Sequence, residues 1–368
     1  MCIRDSYGIV SLSPGDGGPA RSVPALAAAT AAAGCQVVVC SQRAAEIDLT
    51  PYQDVEFVSG DIRAIAASMG PDIVHDNGIW LPCNHKAAQA AKTSGAKLVV
   101  STRGMLEPWC LSHHRIRKTV AWYLYQSRDL KTAAALHATS PAEVATIRNL
   151  GFTQPALQLP NGVTPPDSIP TPLQRSSSKR LVFIGRIHPV KGLAHLLQAW
   201  NEVRPAGWTL DLFGPVENGH DREINELIST HKLQESVSLK GALSNNDKWV
   251  ELSSASAFVL PSFTENFGIV VAEALLAGTP VLTTTGTPWQ DMTKHGCGWW
   301  ETPDVKGMSS GLKNLMACSD QALIEMGERG RQWMQEDFLW DRIGRNMLKS
   351  YEWLLTNDAQ PDCIRTAE

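Results

Sequence analysis

One feature restricts the fold more than any other: short apolar, β-branched runs alternate with helix-like stretches, and the alternation stops once and starts again. Strand-like runs at 8–12, 36–40, 55–58, 72–75, 97–101, 134–139 and 156–159 are separated by helical segments at 19–33, 84–92, 115–126 and 141–150. A loop rich in Pro, Ser and Thr fills 160–179. The rhythm then resumes, with strands at 180–184, 209–213, 236–239, 257–260 and 280–283 and helices at 192–203, 221–231, 246–252 and 268–277. Such alternation predicts parallel sheets with both faces covered. The fold class is therefore α/β, with two doubly wound domains over 1–163 and 178–336 facing each other across a cleft. A last helical stretch, 337–358, carries Leu339, Ile343, Met347, Tyr351 and Leu354 at three-to-four spacing, a stripe that requires a partner surface. Open α/β sheets bind ligands at the carboxyl ends of their strands, so motifs at those ends carry the functional argument.

Length agrees with two domains, since 368 residues can build two separate cores. Hydrophobic residues make up 43% and charged residues 19%, the balance of an ordinary globular protein. Up to Pro160 there are 14 Lys and Arg against 12 Asp and Glu; beyond it, 19 against 25. A net charge of −4 argues against a nucleic-acid-coating protein and leaves room for a local basic patch in the first part. Eight scattered cysteines without a compact framework read as reduced cytoplasmic thiols. No apolar run reaches the length of a membrane-spanning helix. Residues 1–6, MCIRDS, are an odd lead-in to a first strand and read as a truncated or misassigned start.

The most informative stretch is LPSFTENFGIVVAEALLAGTPVL, 260–282. A strand ends, a polar loop follows, and a helix apolar nearly all round begins near Gly268. Glu273 is a carboxylate within that apolar helix and needs a Lys, an Arg or a ligand's hydroxyl pair as partner. The amides of Phe267, Gly268, Ile269 and Val270 form a helix start suited to an anion. Glu265 lies eight residues before Glu273, so two acids can approach one ligand from different heights. In FIGRIHPVKG, 183–192, the chain turns at Gly185 and carries Arg186 and Lys191 into the start of the next helix. Cations in a first turn oppose the helix dipole by about 0.3–1 kcal/mol each, which suggests a bound anion such as a diphosphate. A solvated lysine and a packing arginine would be the structural alternative.

In the first part, SPGDGGP (13–19) follows a strand and opens an Ala-rich helix; Gly17 and Gly18 would let a ligand approach the backbone. The loop lacks the dinucleotide fingerprint, and no acid ends the second strand, which argues against a nicotinamide dehydrogenase. Two strand ends, DIVHDNGIW (72–80) and VVSTRGML (99–106), offer His75, Asn77, Trp80 and Arg103 to a sugar or phosphate, with a hydrogen-bonded structural role as the alternative for His75. Cys83/His85 and Cys110/His113 lack zinc-site spacing. The 113–131 segment places Arg115, Arg117, Lys118, Arg128 and Lys131 beside Trp122, Tyr123 and Tyr125; this is either a solvated basic face or one drawn to an anionic membrane or acceptor.

Taken together, FIGRIHPVKG, the loop 261–268, Glu265 and Glu273 in E-x7-E spacing, and LAGTPVL resemble the donor half of the retaining family 4 (group 1) glycosyltransferases of GT-B fold, built of two Rossmann-like domains. DGGPARS, HDNGIW, STRGMLEPW, LHATS and LPNGV extend the resemblance over nearly the whole chain, toward the bacterial members that build surface polysaccharides. The resemblance implies that Arg186 and Lys191 hold the diphosphate of a nucleotide-sugar and that Glu273 binds ribose hydroxyls. It implies that Glu265 and the amides of Asn266, Phe267 and Gly268 orient the sugar. Lys240, Gly241 and Ala242 would border the base, Phe213 and Gly214 the nucleotide, and Gly17 and Gly18 would close over the donor. The last helix would cross back onto the N-terminal domain. Two departures stand out: His75-Asp76-Asn77 replaces a frequent His-x-His, and Arg103 stands where many relatives place a His near the reacting sugar.

The chemistry implied is hexosyl transfer to an acceptor hydroxyl with retention, without cofactor or metal. The donor is a nucleotide-sugar and the acceptor a saccharide or lipid-linked saccharide. The location implied is cytoplasmic, with peripheral contact at the inner face of an anionic membrane and no nucleic-acid partner. A nucleotide-sugar epimerase and a non-catalytic nucleotide-sugar-binding protein are the rival readings.

Overall fold

The computed structural model describes residues 3–13, 18–112, 114–166 and 179–367. The chain divides into two compact units, one made of Met1–Gly162 and Leu339–Glu368, the other of Val163–Phe338. It opens with β1 (Arg4–Ile9), α1 (Pro19–Ala32), β2 (Gln36–Ser41), β3 (Glu56–Ser59), α2 (Ile62–Met69), β4 (Ile73–Asn77), α3 (Pro82–Ser94) and β5 (Lys97–Ser101). Next come α4 (Pro108–Ser112), α5 (Arg115–Ala121), a π-helical turn (Trp122–Gln126), α6 (Ser127–Thr132), β6 (Ala135–Ala138), α7 (Pro141–Asn149) and β7 (Ala156–Gln158). The second unit holds β8 (Lys179–Ile184), α8 (Leu193–Val203), β9 (Trp208–Phe213), α9 (Asp221–Thr230), β10 (Val237–Lys240), α10 (Asn245–Ser254), β11 (Ala257–Leu260) and α11 (Ile269–Leu276). It ends with β12 (Val281–Thr284), β13 (Gly298–Glu301), α12 (Val305–Met316) and α13 (Asp320–Asp337), after which α14 (Trp340–Thr356) and β14 (Ile364–Arg365) rejoin the first unit.

Among the described residues the first sheet runs β14-β7-β6-β5-β4-β1-β2-β3, and the second β10-β9-β8-β11-β12-β13. Neighbours are parallel except β14, which lies antiparallel to β7. Strand alternation sorts the first core into two layers. Val37 and Val39 of β2 face Val23 and Leu26 of α1 together with Ile343, Met347, Tyr351 and Leu354 of α14. Val38 and Cys40 face the opposite layer, with Ile62 and Ala66 of α2 and Ala87 and Ala90 of α3. In the second unit, Leu181, Val182 and Phe183 of β8 and the Val271–Leu276 side of α11 are buried.

Two expectations are corrected. The first strand is Arg4–Ile9, not 8–12: Asp5 and Ser6 pair in register with Val37 and Val38 and are fully buried, so their polar character hid a core strand. The last helix, expected over 337–358, starts three residues later, at Trp340. Residue Leu339 is extended (φ −71°, ψ 143°) between α13 and α14, because Phe338 is held in an aromatic cluster of the second unit while Trp340 packs on the first.

Candidate active site

At the carboxyl edge of the second sheet, three loops lock together. The first leaves β8 and ends in a 3-10 turn, Pro189–Lys191, capped by the His188 side chain. This corrects the placing of Arg186 and Lys191 in a first helical turn: both precede α8, whose N-cap is Gly192. Gly192 has φ +67°, and a Cβ there would sit 2.1 Å from the Pro261 carbonyl oxygen, so only glycine allows this approach. The second loop, 261–268, joins β11 to α11. Phe263 N–H donates to the Val190 carbonyl (2.9 Å) and Glu265 N–H to the Gly286 carbonyl (2.8 Å). The third loop leaves β12; its Thr284 hydroxyl donates to the Ser262 carbonyl, and Trp289 Nε1–H to the Phe267 carbonyl (2.6 Å). Behind Phe267 lie Trp289, Trp333 and Phe338, in tilted and edge-on ring pairs with centres 5.1–6.2 Å apart.

These contacts fix the charged groups. Lys191 Nζ forms an ion pair with Glu265 Oε1, which also accepts from Ser262 Oγ (2.7 Å), and both charged side chains are largely buried. Close by in sequence, α11 starts at an N-cap that has no side chain to offer, Gly268 (φ +73°), with Ile269 partly exposed. Amides in a first helical turn lack intrahelical acceptors and attract anions. Glu273, one turn further on, is neutralised by Lys248 of α10 at 2.5 Å. Of the partners left open for it, the structure supplies a lysine.

Arg186 does not join Lys191. Its Nη1 donates to both oxygens of Glu217 at 2.8 Å, in a pair much more exposed than Lys191–Glu265. Gly185, Phe213, Gly214 and Gly241 meet at the ends of β8, β9 and β10. Gly185 N–H donates to the Phe213 carbonyl (3.0 Å), and Gly214 N–H to that of Gly241 (3.2 Å). A Cβ on Gly214 would lie 1.7 Å from the Gly185 oxygen. Lys240 pairs with Asp211 (3.1 Å) and lies over the Phe213 ring.

The first unit has its own convergence of polar groups. Arg103, at φ +51° past β5, donates from Nη2 to Asn77 Oδ1 (2.6 Å) and from Nη1 to Ser22 Oγ (3.0 Å) and Asn161 Oδ1 (3.1 Å). Burial lowers its pKa to about 10. Its loop is pinned by Glu143, which accepts from Thr102 Oγ1, Gly104 N–H and Thr139 N–H at 2.5–2.7 Å. Trp80, at φ +82°, is held by Gln126 Oε1 on its N–H (2.6 Å) and by Tyr125, whose hydroxyl donates to its carbonyl (2.5 Å).

His75 is corrected. It has no exposed surface; its Nδ1 meets the Tyr351 hydroxyl (2.6 Å) and its Nε2 the Ser101 hydroxyl (2.7 Å), which also meets His137 Nδ1 (2.7 Å). Burial depresses its pKa well below that of free histidine. It is a core residue tying α14 to the sheet, which is the structural alternative. Gly18 is the exposed N-cap of α1, and Gly17 lies outside the described residues.

Several groups in these sites were not foreseen from the sequence: Lys248, Ser262, Trp289 and Glu143. A cavity of about 310 Å³ was also missed. It lies at the carboxyl ends of β1, β2 and β4 and is lined by Gly8, Ser41, Asp61, Asp76, Asn84 and Lys86, among others. The strand order reverses between β1 and β4, the position where doubly wound sheets bind ligands. Asn84 Nδ2 donates to Asp76 Oδ1 (3.0 Å), and burial raises the Asp76 pKa to about 8. Among the described residues, no group of three or more His, Cys, Asp or Glu is arranged to hold a metal ion.

Comparison with known proteins accounts for both units. The family model of group 1 glycosyl transferases matches residues 167–333, and that of a glycosyl transferase 4-like domain matches 17–162. A glycogen synthase of Mycobacterium tuberculosis is 25% identical over 402 aligned residues, covering 94% of this chain and 93% of that protein. An MMP alpha-(1→4)-mannosyltransferase of Mycolicibacterium hassiacum is 27% identical over 168 residues, 45% of this chain and 40% of the other. Among solved structures, sucrose-phosphate synthase from Thermosynechococcus elongatus superposes with a TM-score of 0.78 at 19% identity, covering 97% of this chain and all of that one. Anabaena HepE, solved in complex with UDP and glucose, gives 0.74 at 18% identity over 95% of this chain and 99% of that one. With two parallel-sheet units of GT-B type, each matched by its own family model, the chain belongs to the group 1 glycosyltransferases and is a glycosyltransferase.

Proposed function

We propose that the chain moves a hexose from a nucleoside-diphosphate sugar to an acceptor hydroxyl with the anomeric configuration kept, in the assembly of a bacterial polysaccharide or lipopolysaccharide. The observation that carries this reading is the Lys191–Glu265 pair beside the uncapped start of α11. It sets a cation and amide donors, both suited to a diphosphate, next to a carboxylate suited to sugar hydroxyls. HepE was solved with UDP-glucose, which supports a nucleotide-sugar donor here. A glycogen synthase and a putative colanic acid biosynthesis glycosyltransferase of Salmonella typhimurium (22% identical over 45% of this chain) support a polymer-building role.

In this reading the leaving diphosphate gathers charge on Lys191, on Arg186 once it is released from Glu217, and on the α11 amides. An oxocarbenium-like sugar meanwhile lies against Glu265 and the Asn266–Gly268 backbone. Glu273 exchanges Lys248 for the ribose hydroxyls. Gly185, Phe213, Gly214 and Gly241 line the nucleotide, with Lys240 and Ala242 near the base. Asn77, Trp80 and Arg103 meet a saccharide or lipid-linked acceptor. Neutralisation by side chains and amides needs no metal. The location that goes with this reading is the cytoplasm, at the inner face of a membrane; among the described residues no helix is long and apolar enough to cross one.

The test is to incubate the protein with labelled UDP-glucose, UDP-galactose and GDP-mannose, with and without EDTA, and to measure free nucleoside diphosphate. Slow release that survives EDTA supports the proposal. Isomerised sugar would indicate an epimerase, and tight binding without release a sensor.

A further inference from the structure

The four most exposed large apolar side chains among the described residues fall within nine positions: Ile116 (82%), Val120 (52%), Tyr123 (82%) and Leu124 (70%). Their spacing of i, i+4, i+7 and i+8 puts them on one face of the helix formed by α5 and the π-helical turn. Its inner side is anchored. Ala121 and Gln126 are buried, Gln126 accepts from Trp80 N–H, and Trp122 packs on Phe152 and Trp80. Lys118 also turns inward, donating to the Cys110 carbonyl. The apolar face is thus a fixed feature presented to solvent, not a frayed core.

Its charge has one sign. From Pro108 to Arg128 the sequence contains Arg115, Arg117, Lys118 and Arg128 and no acid. Arg115 and Arg117 are exposed on either side of Ile116, and Arg128 and Lys131 are exposed beyond the turn. Contiguous exposed apolar side chains mark an interaction site. Apolar groups rimmed by arginine fit a surface that is apolar within and negative at its rim, which is the interface of an anionic bilayer. A second copy is a poor match, because a two-fold contact over this face would bring the same arginines together.

We propose that this face docks the protein on an anionic phospholipid bilayer, with Ile116, Val120, Tyr123 and Leu124 entering the interface and Arg115, Arg117, Arg128 and Lys131 contacting headgroup phosphates. This deepens the peripheral location offered above but does not rest on the transferase chemistry, since none of the docking residues belongs to the site at the second sheet.

The experiment is co-sedimentation of the full chain with vesicles of phosphatidylcholine alone or mixed 3:1 with phosphatidylglycerol, at 0.05 and 0.5 M NaCl. Binding to the mixed vesicles at low salt is expected, at least tenfold weaker to phosphatidylcholine or at high salt. Ile116→Ser/Tyr123→Ser/Leu124→Ser and, separately, Arg115→Glu/Arg117→Glu should each weaken it at least tenfold. Their melting temperatures and nucleotide-sugar hydrolysis in the absence of vesicles should stay at wild-type values, so failure here and failure of the transferase reading are separately visible. Equal sedimentation of wild type and both variants overturns the proposal. So does the absence of binding to mixed vesicles. Elution of the wild type as a dimer that the serine variant disperses overturns it in favour of a second copy.

Discussion

Lys191 and Glu265 show what a single pair can be asked to do. Each neutralises the other in a largely buried spot, and Glu265 lies against Gly268, the start of a helix whose amides favour an anion. Lys191→Ala leaves Glu265 its hydrogen bond from Ser262, so the fold should survive with a melting temperature lower by a few degrees. Losing a charge that stabilises the leaving group should cut turnover about 100-fold or more, or roughly 2.7 kcal/mol in the barrier. Melting curves and nucleoside diphosphate release measured on one preparation check this; unchanged turnover in a folded variant removes Lys191 from the chemistry. Asp76 gives a residue-level prediction of another kind. With a pKa near 8 when folded and near 4 when unfolded, it binds an extra proton in the native state between those values. Its contribution to stability therefore falls as pH rises, by about 1.4 kcal/mol per unit, or about 2 kcal/mol between pH 6.5 and 8. Urea unfolding at the two pH values should show this slope in the wild type and lose that part of it in Asp76→Asn, which keeps the oxygen that Asn84 binds. Parallel slopes would disprove the buried, protonated carboxyl.

At the scale of elements, the contact of α1 with α14 depends on Gly344, where an added Cβ would lie 2.2 Å from the Ala29 carbonyl oxygen. Gly344→Leu must push the helices apart and should cost about 1–3 kcal/mol or more, read as a lower urea midpoint at unchanged m-value; a wild-type midpoint would mean the helices are not in contact. How legible such elements were depended on whether their signal was local. β5, β11 and α11 could be read because apolar runs bounded by turn residues announce themselves without reference to anything distant. β1 was misplaced because Asp5 and Ser6 are buried only through partners far along the chain, Val37 and Val38 in the next strand and Tyr7 beside Tyr351. β13 was missed since its four residues are only half-buried at a sheet edge, and the break between α13 and α14 since it is set by where the chain changes unit rather than by a proline or glycine. The same distinction holds for the site. Glu265 and Lys191 were legible as charges past strand ends and Glu273 as a charge within an apolar helix, whereas Lys248 as the partner of Glu273, and Glu217 as that of Arg186, are tertiary facts.

For the molecule as a whole, the chain path makes the two units unequal. Val163–Phe338 is one continuous segment with its own six-stranded sheet, but the first unit is completed only by Leu339–Glu368. That return supplies Ile343, Met347, Tyr351 and Leu354 to a core layer it shares with α1, the Tyr351 hydroxyl to His75, and β14 to the edge of β7. At about 1.5–3 kcal/mol for each large side chain buried, the four residues account for about 6–12 kcal/mol, comparable with the whole stability of a domain. A fragment of residues 163–338 should therefore unfold cooperatively on its own, and a fragment of residues 1–162 should not. Adding a peptide of residues 339–368 to the latter should restore a cooperative transition, because the missing layer re-forms from the partner that normally supplies it. Circular dichroism melts of the fragments, alone and mixed, distinguish the cases. A cooperative melt from residues 1–162 alone would mean that α14 lies on a core already complete without it, and the partner surface inferred from its apolar stripe would lose its energetic basis.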